Sequence, residues 1–147
     1  MTGQAASMPR VPSSSVQLVV TSPPFLDVVQ YADDNWLRCW FCGIDAKAVP
    51  MTMARSVEAW RSAMAEVFAE LYRVVRPGGY VAFEVGEVRK GKVRLDEHVV
   101  PVAAAAGFDP QLVMLHTQDF TKTANCWGVD NNKRGTNTNR VVVLQRP

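Results

Sequence analysis

The stretch Val16-Gln17-Leu18-Val19-Val20-Thr21-Ser22-Pro23-Pro24-Phe25 decides how the rest of the chain is read. Val16 to Val20 is a short β-branched run, and such side chains fit a pleated, half-buried surface. Two successive prolines lock φ and remove two N–H donors, so neither a strand ladder nor a helix continues through them. The strand must end in a rigid corner. Open α/β sheets receive ligands outside the carboxyl ends of their strands, and Ser22-Pro23-Pro24-Phe25 stands at such an end. The locked angles aim the Ser22 and Pro23 carbonyls, with Phe25 expected at the rim. This corner suits a planar substrate with an exocyclic amino group: the Ser22 hydroxyl and the adjacent carbonyl accept the amine's hydrogen bonds, while Phe25 stacks on the ring. Ser-Pro-Pro alone is ordinary turn chemistry; its place between a strand and an aromatic carries the reading.

Outward from the corner, strands alternate with helices. Asp34 to Phe41 is aromatic-rich and predicted helical. Ser56 is the N-cap of a long helix whose Val57, Trp60, Met64, Val67, Phe68, Leu71 and Val75 share one face. Arg76-Pro77-Gly78-Gly79 stops it. Strands are predicted at Tyr80–Gly86, Gln111–His116 and Arg140–Gln145, with a helix from Asp96 to Ala106. The order β-α-β-α-β-loop-β implies a parallel sheet with right-handed crossovers and a terminal antiparallel hairpin, so the class is α/β. Residues 1–15 mix Ser, Pro and Gly without period and read as a flexible leader; residues 16–147 form one unit.

Composition narrows the function classes. With 48% apolar and 20% charged residues, the 147-residue chain is globular rather than disordered or collagen-like. It has no run near the ~20 apolar residues of a membrane helix and no secretory signal, so the cytoplasm is its expected location. Cys39 and Cys42 form a C-x-x-C without a second pair; with Cys126 they read as buried thiols, a metal or redox role being the alternative. His98 and His116 lie at no metal-ligand spacing, and no metal site is expected. From Arg89 to Arg146, nine Lys and Arg stand against five Asp and Glu. Basic clusters at Arg89-Lys90-Gly91-Lys92 and Lys133-Arg134 suit a phosphate backbone, or equally a solvated loop.

With these residues in view, the chain resembles the DNA amino-methyltransferases, which methylate N4 of cytosine or N6 of adenine using S-adenosylmethionine. Their motif is Asp, Asn or Ser, then Pro-Pro, then Tyr, Phe or Trp. The Ser form followed by Phe is most similar to the N4-cytosine branch. The resemblance runs from Val16 to Arg146, through Tyr31, Asn35-Trp36-Leu37, Arg76-Pro77-Gly78-Gly79 and Thr136-Asn137-Thr138-Asn139-Arg140. It implies a catalytic set of Ser22, Pro23, Pro24 and Phe25, with Thr21, Ser22 and Glu84 as cofactor contacts. The fold it implies is the β-α-β-α-β-β half of a Rossmann-like methyltransferase sheet. The family's cofactor half carries an F-x-G-x-G turn after a strand, and this sequence has none. The expectation is therefore a catalytic and target-binding half, truncated, split or a remnant. Its expected partners are DNA and a complementary cofactor-binding subunit or a second copy, because the β-branched Val16–Val20 strand would be an open edge.

Target binding is expected of Asp27 and Tyr31, just past the motif, and of Lys122, Asn125, Trp127, Lys133, Arg134, Asn137 and Asn139. The last seven belong to a long polar segment suited to phosphate contacts and base stacking. Surface positions and plain loop chemistry are the competing readings. Trp36, Trp40 and Phe41 are expected in the core, with a target wall as the alternative. Adenine-N6, RNA or protein-amide methylation and a non-catalytic nucleic-acid-binding remnant are the competing functions.

Overall fold

Ser56 caps the longest helix as its residue type requires: its hydroxyl accepts from the Ala59 N–H at 3.1 Å. That helix belongs to a computed structural model that describes residues 3–24, 26, 33, 35–49, 54–88, 93–117 and 138–147. The elements are β1 (Val16–Thr21), α1 (Trp36–Phe41), α2 (Val57–Val74), β2 (Val75–Val85), β3 (Glu87–Val88), β4 (Val93–Arg94), α3 (Asp96–Ala105), β5 (Asp109–Thr117) and β6 (Thr138–Gln145). Four strands form one sheet in the order β1-β2-β6-β5. β1 and β2 are parallel, whereas β6 runs antiparallel to both β2 and β5. The predicted α/β order and terminal hairpin are both present.

Trp60, Met64, Phe68 and Leu71 are the buried face of α2, as their spacing predicts. They meet Val81, Phe83 and Val85 of β2, Val142 and Leu144 of β6, and Val99 and Val102 of α3 in one core. Phe68 lies at its centre, its ring centroid 4.8 Å from Phe83 and 6.2 Å from Phe108. A buried ion pair, Arg140 Nη1 to Asp96 Oδ2 at 3.5 Å, ties β6 to the first turn of α3, where a carboxylate also complements the helix dipole.

Several expectations are corrected. Val75, expected on the helix, opens β2 and is fully buried, because it pairs with Val16. The Arg76–Gly79 stop signal is thus built into the strand as an irregularity. A Cβ on Gly79 would stand 2.9 Å from the Gln17 carbonyl oxygen, so that approach needs glycine. Trp36, Trp40 and Phe41 are 60%, 69% and 84% exposed, not core. No residue of α1 is buried, so the helix lends no face to the core. Cys42 is exposed and Cys39 half-buried, rather than both buried. The β3–β4 pair, on either side of the basic Arg89–Lys92 sequence, is an addition to the predicted elements.

Of residues 1–15, expected to be a flexible leader, the stretch 8–15 is hydrogen-bonded to α2. The Met8 N–H donates to Glu70 Oε1 at 2.6 Å. Arg73 donates to the Val11 and Met8 carbonyls, each at 3.0 Å, and pairs with Glu70 at 2.8 Å. Neither helix residue is apolar, so hydrophobic periodicity gives no sign of this clasp. The Arg73 guanidinium and the Met8 N–H lower the Glu70 carboxyl from its ordinary 4.5 to about 2. The clasp is therefore complete above pH 4.5 and weakens as pH falls toward 2. We expect amides of residues 8–15 to exchange faster across that window, and Glu70→Gln to abolish the acid dependence; hydrogen exchange against pH checks both.

Candidate active site at the diproline corner

β1 runs into Thr21, half-buried and paired with Phe83 of β2, and the chain then turns at Ser22-Pro23-Pro24. Ser22 is exposed, Pro23 buried and Pro24 half-buried. The corner is held at three points. Pro23 packs inward, Leu26 is fully buried in the core, and the Trp60 indole N–H donates to the Pro24 carbonyl at 3.0 Å. Of the corner's carbonyls, that of Pro24 is thus committed to the scaffold. The exposed Ser22 borders a cavity of about 450 Å³.

Thr21, Ser22, Pro23 and Pro24 form one wall of that cavity, Met64 and Val67 of α2 another, and Ala5, Ala6 and Met8 a third. The N-terminal segment therefore lines one side of the site. A larger hollow of about 670 Å³ is bounded by the N-terminal segment and shares Gln4, Ala5 and Met8 with the corner cavity. Among the described residues, no group of three His, Cys, Asp or Glu is placed to hold a metal ion.

The expected site residues divide. Thr21, Ser22, Pro23 and Pro24 come together. Glu84 does not join them: it alternates with Phe83 along β2, so it projects from the opposite face of the sheet. Asn139 pairs with His116 and shares the Glu84 face near the carboxyl end of β2. Phe25, Asp27, Tyr31, Lys122, Asn125, Trp127, Lys133, Arg134 and Asn137 lie outside the described residues, as do Arg89–Lys92 and Cys126. Two members of the basic surplus have internal partners. Arg140 pairs with Asp96, and Arg146 stacks 4.5 Å over the Tyr72 ring and donates to the Val75 carbonyl.

Trp60 is the residue that sequence reasoning assigned only to packing. Its helical spacing explains its burial, but nothing local signals a hydrogen bond to a carbonyl 36 residues away. Trp60→Phe keeps an aromatic ring and removes the donor. It is expected to cost about 1 kcal/mol, measured by urea unfolding; an unchanged midpoint would show that the bond does not anchor the corner.

No protein-family model and no curated protein matches the sequence. Solved structures do match. A candidate DNA modification methylase from Thermus thermophilus, complexed with S-adenosylmethionine, superposes with a TM-score of 0.57 at 22% identity, over 97% of this chain and 51% of that one. The PvuII cytosine-N4-specific DNA methyltransferase gives 0.58 at 14% identity, over 92% and 44%. The cyclase SpnF gives 0.54 at 12% identity, over 100% and 55%. The fold is a partial Rossmann-like methyltransferase sheet. The chain spans about half the length of these structures. Because the same fold carries a cyclase, the reaction must be argued from the corner itself.

Proposed function

We propose that the chain is the catalytic and target-binding half of an S-adenosylmethionine-dependent DNA methyltransferase that acts on an exocyclic amino group, N4 of cytosine. The observation that carries the proposal is the anchored Ser22-Pro23-Pro24 corner, open to a cavity at the carboxyl end of a parallel strand. Two of the matched structures, one bearing the cofactor and one cytosine-N4-specific, support the same reading.

An aromatic amine is a poor nucleophile because its lone pair is delocalised into the ring. Acceptors at the Ser22 hydroxyl and the Pro23 carbonyl draw the two amino hydrogens toward them, favouring a tetrahedral nitrogen with a localised lone pair. They also stabilise the positive charge that develops there, as fixed dipoles do at little reorganisation cost. Trp60 keeps this geometry by holding the next carbonyl along. S-adenosylmethionine, when bound, supplies an electrophilic methyl group. Thr21 and Ser22 offer it two hydroxyls, but among the described residues the cavity walls contain no glycine turn against which a nucleotide lies, and Glu84 is on the other face. We assign the remainder of the cofactor site to a complementary cofactor-binding unit.

A base inside a duplex is out of reach, so the target must be flipped, at a cost of a few kcal/mol. Phe25 replaces part of the lost stacking. Asp27, Tyr31, Lys122, Asn125, Trp127, Lys133, Arg134, Asn137 and Asn139 are assigned to the target strand and its phosphates. The test is label transfer from methyl-labelled S-adenosylmethionine by the chain purified with its complement. Duplex DNA is expected to take the label; exclusive labelling of RNA or protein would overturn the assignment.

A further inference from the structure

Gln4, Ala5, Ala6 and Met8 line the corner cavity, yet none of them belongs to a helix or to a strand of the sheet. A tight turn, closed by the Ser7 N–H on the Gln4 carbonyl at 3.1 Å, folds this stretch on itself. Its place over the cavity comes from α2. Both backbone polar groups of Met8 bind side chains of that helix, the N–H to Glu70 Oε1 at 2.6 Å and the carbonyl to Arg73 Nη2 at 3.0 Å.

The Arg73 guanidinium also donates to the Val11 carbonyl and the Ser13 hydroxyl, each at 3.0 Å. It is itself fixed by two bonds of 2.8 Å to Glu70, Nε to Oε2 and Nη2 to Oε1. Beyond Ser13 the chain is held by backbone bonds instead, from Ser14 and Ser15 to the Arg73 and Val74 carbonyls. Met8 and Val11 rest against the core as well. Apolar burial is non-directional, whereas a planar guanidinium fork has one geometry. The fork therefore decides where Met8 sits relative to Val67 and Leu71, the α2 residues that line the cavity beside it.

We infer that Glu70 and Arg73 form a latch that positions Met8 as the third wall of the corner cavity and so sets how tightly the cavity holds its ligand. The inference deepens the proposed function, and rests on it for the identity of that ligand. The class that fits is an amino-bearing heteroaromatic ring. Thr21 and Ser22 supply hydroxyl acceptors, and the Met8 thioether with Val67 supplies an adaptable apolar contact for the ring's face. The target base and the methyl donor both carry such a ring. Glu70 and Arg73 hold the wall rather than the ligand, so they are positioning residues.

The first test needs no activity. In a chain carrying Cys39→Ser, Cys42→Ser and Cys126→Ser, the half-buried Val67 becomes a probe through Val67→Cys, and its alkylation by iodoacetamide is timed. Glu70→Ala is expected to raise that rate at least ~10-fold, as local opening of the wall does. Glu70→Gln is expected to fall between, because its carboxamide keeps an acceptor for the Met8 N–H but loses the charge that pairs with Arg73. A Val102→Cys probe in the core face of α3 is expected to keep its parent rate. An unchanged rate at Val67→Cys overturns the inference, and so does equal acceleration at both probes, which would mean that the whole fold has loosened. In the second test, Glu70→Ala in the complemented chain is expected to raise KM for either DNA or S-adenosylmethionine at least ~5-fold with kcat within about twofold. The substrate affected tells which ring meets the wall. Both KM values unchanged in an active chain would overturn the latch, whereas a parent chain without transfer counts against the methyl-transfer reading and leaves the labelling rates to decide the latch.

Discussion

Replacing Ser22 and Pro23 together with alanine is expected to lower methyl transfer to duplex DNA at least ~100-fold, the scale seen when a preorganised charge-stabilising group is removed. Ser22 is exposed, so Ser22→Ala alone leaves the core intact and separates lost chemistry from lost folding. Its expected signature is a fall in kcat with little change in KM, because the hydroxyl acts on the charge that grows at nitrogen and less on the resting base. Phe25→Ala is expected to act differently, raising the apparent KM for DNA as stacking on the flipped base is lost. Single-turnover kinetics on the complemented chain distinguish the two. Full activity in the double variant would remove the corner from the mechanism.

Phe68→Ala is expected to destabilise the chain by about 3–5 kcal/mol, against a total of roughly 5–15 kcal/mol for a domain. Phe68 is fully buried between α2 and the sheet and touches both Phe83 and Phe108. Truncation therefore opens a cavity where helix, sheet and the turn leading into β5 converge. Urea unfolding gives the value. A loss below about 1 kcal/mol would mean that the core collapses around the gap, contrary to the packing described.

The corner and Phe68 also show what was legible in advance. Phe68 was legible because burial on a long helix repeats every three to four residues, and α2 keeps that period from Trp60 to Leu71. The corner was legible because two prolines after a β-branched run leave the backbone few choices. Features set by distant partners were not legible. β2 begins at Val75 rather than Tyr80 because Val16 and the Gln17 backbone meet it, so the Pro-Gly-Gly segment before which the helix ends is taken into the strand. The N-terminal segment is fastened by two charged helix residues that look solvent-facing on any periodicity count. The aromatics of α1 look like core by composition, yet stand exposed on a helix of six residues. The Trp60–Pro24 bond joins two elements that each had a sufficient local explanation.

Glu84 and Asn139 share a face of the sheet, away from the corner cavity. Half-buried Glu84 therefore does not line the acceptor pocket that Thr21, Ser22, Pro23 and Pro24 form.

The most direct measurement is the identity of the modified nucleoside. Duplex DNA treated with the complemented chain and S-adenosylmethionine is digested to nucleosides and resolved by mass spectrometry against authentic standards. N4-methylcytosine is the expected product, absent after Ser22→Ala with Pro23→Ala. 5-Methylcytosine, or no methylated nucleoside above the cofactor-free control, would contradict it.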